Sequence, residues 1–176
     1  QEVVDRWIEP LLALPAARSM IELKSTLEGT AEMTQKPEFI MHTFIKCSQD
    51  ALWNALTSED AHNNFVFVSS DCRREGDALT YHGAEGNKLL VCRETKLTPK
   101  TRIDSTFEPH WAGPDVPLEA SSFAYIIEAM GDHCKLTLEH YTVPAGQEGL
   151  GDGWNRTISS LKTWLETGNV VKFPYG

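Results

Sequence analysis

The sequence predicts an α+β domain in which a curved antiparallel sheet of six to seven strands wraps one long C-terminal helix. Three observations carry that expectation. From residue 38 onward, apolar residues alternate with a period of two in one segment after another, which is strand patterning. Short turns join most of these segments without an intervening helix, the arrangement of hairpins rather than of parallel crossover units. The last regular stretch changes to helical spacing and ends on Gly168, a residue suited to a helix C-terminus.

Residues 3–14 place Val3, Val4, Trp7, Ile8, Leu11 and Leu12 three and four apart, the stripe of an amphipathic helix, with Pro10 and Pro15 interrupting it. Ala17, Met20, Ile21, Lys24 and Leu27 continue a second helical piece that Gly29 stops. The polar stretch 29–37 reads as a linker, so residues 1–37 are expected to be an added helical segment ahead of a domain over 38–176. The stripe Val4, Trp7, Ile8, Leu11 and Leu12 needs a cover, either its own domain or a second copy of the chain, and the second, giving a homo-oligomer, is the expected one.

Phe39–Cys47 alternates as a strand, and Ser48 is a good N-cap for a short helix over Gln49–Leu56 that buries Leu52, Trp53 and Leu56. Two short helices are expected after this first strand. Strand-like segments follow at Phe65–Arg74, Ala78–His82, Lys88–Leu97, Thr101–Phe107, Ser122–Met130 and Cys134–Val143, separated by turn residues such as Glu75-Gly76, Thr98-Pro99 and Gly131-Asp132. The final helix runs from about Gly153 to Thr167 with Asp152 as its cap, and Trp154, Ile158, Leu161 and Leu165 form its inner stripe.

Charge narrows the function classes. The 176 residues include 25 acidic and 16 basic ones, for a net charge of −9. Residues 1–37 hold 6 acidic and 4 basic residues, and residues 38–176 hold 19 and 12. A phosphate-binding surface needs clustered Lys and Arg. The densest basic spot, Arg73-Arg74, is flanked by Asp71, Glu75 and Asp77, so no direct nucleic-acid contact by this chain is expected. The uncharged run Pro10–Ala17 is far short of the ~18 apolar residues a membrane span requires, and no basic stretch precedes it as in a signal peptide. A cytoplasmic location is the expectation.

Cys47, Cys72, Cys92 and Cys134 are widely spaced and read as reduced thiols; no metal site is expected. No nucleophile elbow, glycine-rich phosphate loop or zinc-protease motif occurs, so neither a cofactor nor a catalytic set is assigned. Within catalysis the pairs to weigh are His140 with Tyr125, and His42 with Glu139. His62, His82, His110 and His133 fall in predicted loops or strand ends and are expected to be solvated.

Alternation brings the binding candidates together. If Leu136 and Leu138 face inward, His140 shares their face, while Lys135, Thr137, Glu139 and Tyr141 face out. Phe123, Tyr125 and Ile127 are the matching set on the neighbouring strand. With Met41, Thr43, Trp154, Ile158 and Leu161 they line a largely apolar groove that suits a small apolar molecule or lipid, or they fill a core with no space left. Both readings stay open on the sequence alone.

Phe123–Glu128, Cys134–His140, Gly153-Trp154 and the closing run Ser159–Gly168 resemble the end of the family of activators of the 90-kDa heat-shock chaperone ATPase, in its bacterial branch. Ile45–Thr57 is similar to the opening strand and helix of that family. The resemblance covers about residues 38–168 and implies the START-like (SRPBCC) helix-grip fold. It implies a non-enzymatic ligand-binding or regulatory domain, with a stress-response setting. The alternatives it carries are a protein-interaction module, either a chaperone co-factor or the effector half of a transcription regulator, and an enzyme of the cyclase or hydrolase kind. This chain departs from the family at Asn64-Phe65-Val66, Glu75-Gly76-Asp77 and Leu89-Leu90-Val91, positions that the resemblance puts near the mouth of the groove.

Overall fold

Alternation over the first strand segment produces β1 (Phe39–Ile45): Phe39, Met41, Thr43 and Ile45 turn inward, and Ile40, His42 and Phe44 turn to solvent. The computed structural model describes residues 35–176, so the N-terminal stripe Val4, Trp7, Ile8, Leu11 and Leu12, and the helices expected there, lie outside the described residues.

Two short helices follow β1. In α1 (Gln49–Thr57) the Ser48 hydroxyl accepts from the Ala51 N–H, and Leu52, Ala55 and Leu56 are buried. Trp53 is only half-buried. Ser58 ends α1 and begins α2 (Glu59–Phe65), where its hydroxyl accepts from the Ala61 N–H. Glu59 and Asp60 in the first turn of α2 complement the positive end of its dipole.

The expected strand Phe65–Arg74 is corrected here. Phe65 closes α2, residues 66–70 are a connecting turn, and the strand β2 is only Asp71–Glu75. The apolar run Phe65–Val68 imitates a buried strand because Phe65 packs into the core and the next residues wall a cavity, so burial, not pairing, selects them.

The remaining strands are β3 (Ala78–His82), β4 (Lys88–Thr98), β5 (Arg102–Pro109), β6 (Ser121–Ala129) and β7 (Cys134–Tyr141). They form one seven-stranded sheet in the order β1-β7-β6-β5-β4-β3-β2, antiparallel throughout. Six strands thus meander, and the first lies beside the last with Phe39 opposite His140. Gly76, at φ +64°, makes the tight β2–β3 turn that a side chain would strain. Register shifts at Tyr81/His82 and Glu94/Lys96 mark bulges, which bend the sheet.

The closing helix α3 (Leu150–Thr167) starts three residues before the sequence expectation. Gly149 occupies the cap position without a side-chain bond, and Asp152 lies inside the first turn, paired with Arg156 at 2.7 Å. Its carboxylate still complements the helix dipole, which is why Asp152 imitates a cap in the sequence. At the other end Gly168 adopts the left-handed conformation, as expected.

Trp154, Ile158 and Leu161 of α3 face the concave side of the sheet and share one core with Ile127, Leu136, Leu138 and Ile103. On its flank, the Lys162 ammonium donates to the Phe44 carbonyl at 2.6 Å, and the Lys46 N–H donates to Glu166 at 2.9 Å. These bonds occupy backbone groups on the edge strand β1 that would otherwise invite another chain. Toward the other edge of the sheet Arg74 forks onto Glu94 at 2.8 and 2.9 Å and donates to the Thr57 carbonyl at 2.6 Å, which ties the short helices to β2 and β4. Among the described residues no helix is long and apolar enough to cross a membrane.

Candidate functional site: a cavity between the sheet and the long helix

The alternation expected for the last two strands is observed: Leu136, Leu138 and His140 point inward from β7, and Phe123, Tyr125 and Ile127 from β6. Trp154 of α3 meets this face. Its ring centroid lies 4.9 Å from Phe123, 5.8 Å from Phe107 and 6.0 Å from Tyr125, in tilted or edge-on arrangements. Aromatic pairs prefer such geometries because ring edges are positive and faces negative.

His140 anchors this cluster. It is fully buried, and its Nδ1 lies 3.1 Å from Trp154 Nε1. An indole N–H can only donate, so Nδ1 is the unprotonated nitrogen and the proton sits on Nε2, 2.7 Å from the Ser121 hydroxyl. Burial pushes the imidazole down to about 4, since the charged form would lose its hydration with no carboxylate in contact. Neither nitrogen bonds Tyr125. The other weighed pair is also separate: His42 is exposed on β1, whereas Glu139 accepts from the Tyr141 hydroxyl and faces Arg102 on the outer side of the sheet.

His62 is a correction. The sequence expectation was a solvated loop histidine, but it lies on α2 with 3% exposure. Nδ1 sits 2.7 Å from the Ser58 carbonyl, the ring packs on Phe65 and Tyr81, and burial lowers its pKa to about 4. It is buried because Glu59–Phe65 forms a helix, α2, that packs its ring on Phe65 and Tyr81.

Beside the aromatic cluster the sheet and α3 do not close completely. They enclose a cavity of about 570 Å³. Its floor is formed by Tyr81, Leu90, Cys92, Phe107, Phe123 and Tyr125 from β3 to β6, and its roof by Leu150, Gly153, Trp154 and Thr157 of α3. Val66–Val68 close one side and Gly146, Gln147 and Gly149 another. The chain after α3 folds back so that Pro174 and Tyr175 reach the rim, where Tyr175 packs edge-on against Phe67 at 5.3 Å. Arg156 holds that return: it donates to the carbonyls of Phe173 and Pro174 at 3.0 and 2.9 Å and lies 4.3 Å from the Tyr175 ring.

Of the ten residues expected to line a groove, Phe123, Tyr125 and Trp154 do so. His140 stands behind them as the partner of Trp154. Ile127, Leu138, Ile158 and Leu161 are buried in the core beyond the cavity, and Met41 and Thr43 are half-buried on β1, away from it. The open space is displaced toward β3, β4 and the turn after α2. Gly149 and Gly153 are part of the wall there and put no side chain into the space.

Among the described residues the lining has no charged side chain. Burial raises Tyr81, Tyr125 and Cys92 above their ordinary ranges, so both phenols and the thiol stay protonated. All four cysteines are free, and among the described residues no cluster of His, Cys, Asp or Glu could hold a metal ion. The arrangement offers apolar contact, ring stacking and a few neutral hydrogen bonds.

Comparison with known proteins places this architecture. A family profile described as Activator of Hsp90 ATPase homolog 1-like protein matches residues 46–166. No curated protein matches the chain. Among solved structures, protein MLL2253 from Mesorhizobium loti superposes with a TM-score of 0.61 at 17% identity, over 74% of this chain and 98% of that one. The Aha1 dimer from Colwellia psychrerythraea gives 0.59 at 17% identity, over 74% and 97%. DynU16, a protein of the dynemicin biosynthetic locus, gives 0.60 at 15% identity, over 76% of this chain and 49% of its own. These likenesses show a helix-grip fold, and with the profile spanning most of the chain, the protein belongs to the Activator of Hsp90 ATPase homolog 1-like family.

Proposed function

We propose that the protein is a non-enzymatic binding domain that holds a small hydrophobic molecule in the cavity under α3. The observation that carries this reading is the cavity itself. Protein interiors pack as densely as organic crystals and leave few voids larger than a water molecule, whereas this space has about 570 Å³ and a mainly apolar wall rich in aromatic rings. That size lies within the range of pockets for small molecules. Val66, Leu89 and Leu90, at positions where the chain departs from the family pattern, all line it, which fits a ligand particular to this protein. The occupation of both His140 nitrogens by Ser121 and Trp154 supports a structural rather than a catalytic histidine.

A screen of apolar metabolites by thermal shift, with native mass spectrometry of the purified protein, tests the reading. A ligand at one hundred times its Kd adds about 2.7 kcal/mol of stability. Gly153→Leu is expected to abolish that gain while leaving the fold intact. The Cβ it adds meets Phe67 and Tyr175 only at van der Waals distance, 3.7 Å, and leucine favours a helix more than glycine does. Silence across the screen and no bound mass would overturn the proposal.

We also propose that the chain self-associates through the stripe Val4, Trp7, Ile8, Leu11 and Leu12, a reading supported by the dimeric state stated for the Colwellia protein. Sedimentation of the full chain should show a dimer that Trp7→Glu with Leu11→Glu dissociates. An unchanged sedimentation coefficient in the variant rejects that contact.

A further inference from the structure

The cavity wall also has a polarity that selects among hydrophobic molecules. Tyr81, Tyr125 and Thr157 line the space with 4%, 5% and 5% exposure, and none of their hydroxyls has a hydrogen-bond partner among the described residues. Nor are these hydroxyls sealed into the protein, as the unpartnered Nδ1 of His82 and Oε1 of Gln147 are. Hydroxyls that reach open space from largely buried side chains without a protein partner are available to a bound molecule. Gln147 adds a fourth polar residue to the wall. Its Nε2 donates at 3.0 Å to the Glu119 carbonyl and its oxygen is sealed into the protein, so its amide offers the cavity no free donor.

Among the described residues no cation lines the cavity to complete this set. The two cations that fasten the chain end are committed elsewhere: Arg156 to Asp152 and the carbonyls of Phe173 and Pro174, and Lys172 to the Ser69 carbonyl at 3.0 Å. His140 is neutral behind the Trp154 ring. A carboxylate carried into the cavity would therefore lose its hydration and find only neutral donors.

Resting on the binding reading above, we propose that the occupant is an uncharged aromatic molecule carrying a small polar group, such as a hydroxyl or an amide, that hydrogen-bonds the Tyr81, Tyr125 and Thr157 hydroxyls, and that anionic amphiphiles of the fatty-acid type are rejected. Rings suit the wall, where Phe107, Phe123 and Trp154 offer edges and faces. The polar group meets hydroxyls that otherwise stay unpaired.

Fluorescence titration of the full chain at pH 7 with pyrene, 1-pyrenecarboxamide and 1-pyrenecarboxylate tests this. The amide and the carboxylate have nearly the same shape and differ in charge. The amide should bind at least about tenfold more tightly than the carboxylate, the ratio expected for an uncompensated buried polar group. Tyr81→Phe with Tyr125→Phe should weaken the amide by about tenfold and leave pyrene unchanged. Equal affinity for amide and carboxylate, or an unchanged amide affinity in the double variant, overturns the polarity assignment while pyrene binding still upholds the cavity reading. Failure of pyrene as well as the other two overturns both.

Discussion

Lowering the pH from 7 to 4 should remove about 6 kcal/mol of stability from the described domain, as read from urea unfolding curves at intervals across that range. Two histidines drive the loss. His62 and His140 are 3% and 0% exposed, and burial lowers each from an ordinary 6.5 to about 4. At His62 the Arg74 guanidinium adds to the depression, while the Ser58 carbonyl and Glu94 oppose it; at His140 only Glu38 opposes it. In the unfolded chain both rings take up protons near pH 6.5, and in the folded chain they do so only near 4. Between these values the unfolded state binds more protons, so stability is full above about pH 6.5 and falls as the pH drops toward 4. Each histidine accounts for about 3 kcal/mol over the window, and the pair for about 6 kcal/mol, against a typical total of about 5–15 kcal/mol. The slope should approach two protons near pH 5. His62→Gln should reduce it by one proton, whether or not the variant is itself less stable. A wild-type slope below half a proton in this window would show that the two rings are not buried in their neutral forms.

The same histidines show what sequence reasoning reached. Period-two alternation put His140 on the inward face together with Leu136 and Leu138, because a strand leaves each residue one of two sides. Helical spacing likewise put Trp154, Ile158 and Leu161 on one stripe, and all three are buried. His62 was not legible in this way. Its helix is seven residues long, too short for a periodic signal, and the apolar run after it mimics a strand. The available clue was Ser58 followed by Glu59 and Asp60, the pattern of a helix start.

The cavity was legible only in part, for a different reason. Alternation tells which face a residue uses, but not whether the opposing element fills the space above it. Phe123 and Ile127 occupy the same face of β6, yet only Phe123 borders the open space, whose wall at the start of α3 includes Gly149 and Gly153. Val66–Val68, Leu89 and Tyr175 reach the wall from turns, strand ends and the returning chain, where no period exists to read.

Trp154 is the residue on which core and cavity both depend, and its replacement should separate the two contributions. Trp154→Ala is expected to cost about 4 kcal/mol in urea unfolding, within the range for deleting a large aromatic from a core. The ring is 8% exposed and touches Phe107, Phe123, Tyr125 and His140. One side already borders the cavity, so alanine enlarges an existing space, and inward collapse of the neighbours cannot recover the lost contacts. Trp154→Phe keeps most of the ring and loses chiefly the N–H, which strands His140 Nδ1 as a buried acceptor at a cost of about 1–2 kcal/mol. That smaller variant carries a second signature. The indole bonds only the unprotonated Nδ1, so removing it withdraws one factor that favours neutral His140, and the acid-induced loss of stability should become shallower. Trp154→Phe and His140→Gln should then be less than additive, since each breaks the same bond. A Trp154→Phe variant as stable as the wild type, with the wild-type pH slope, would show that the indole–imidazole bond contributes nothing to holding the wall of the cavity.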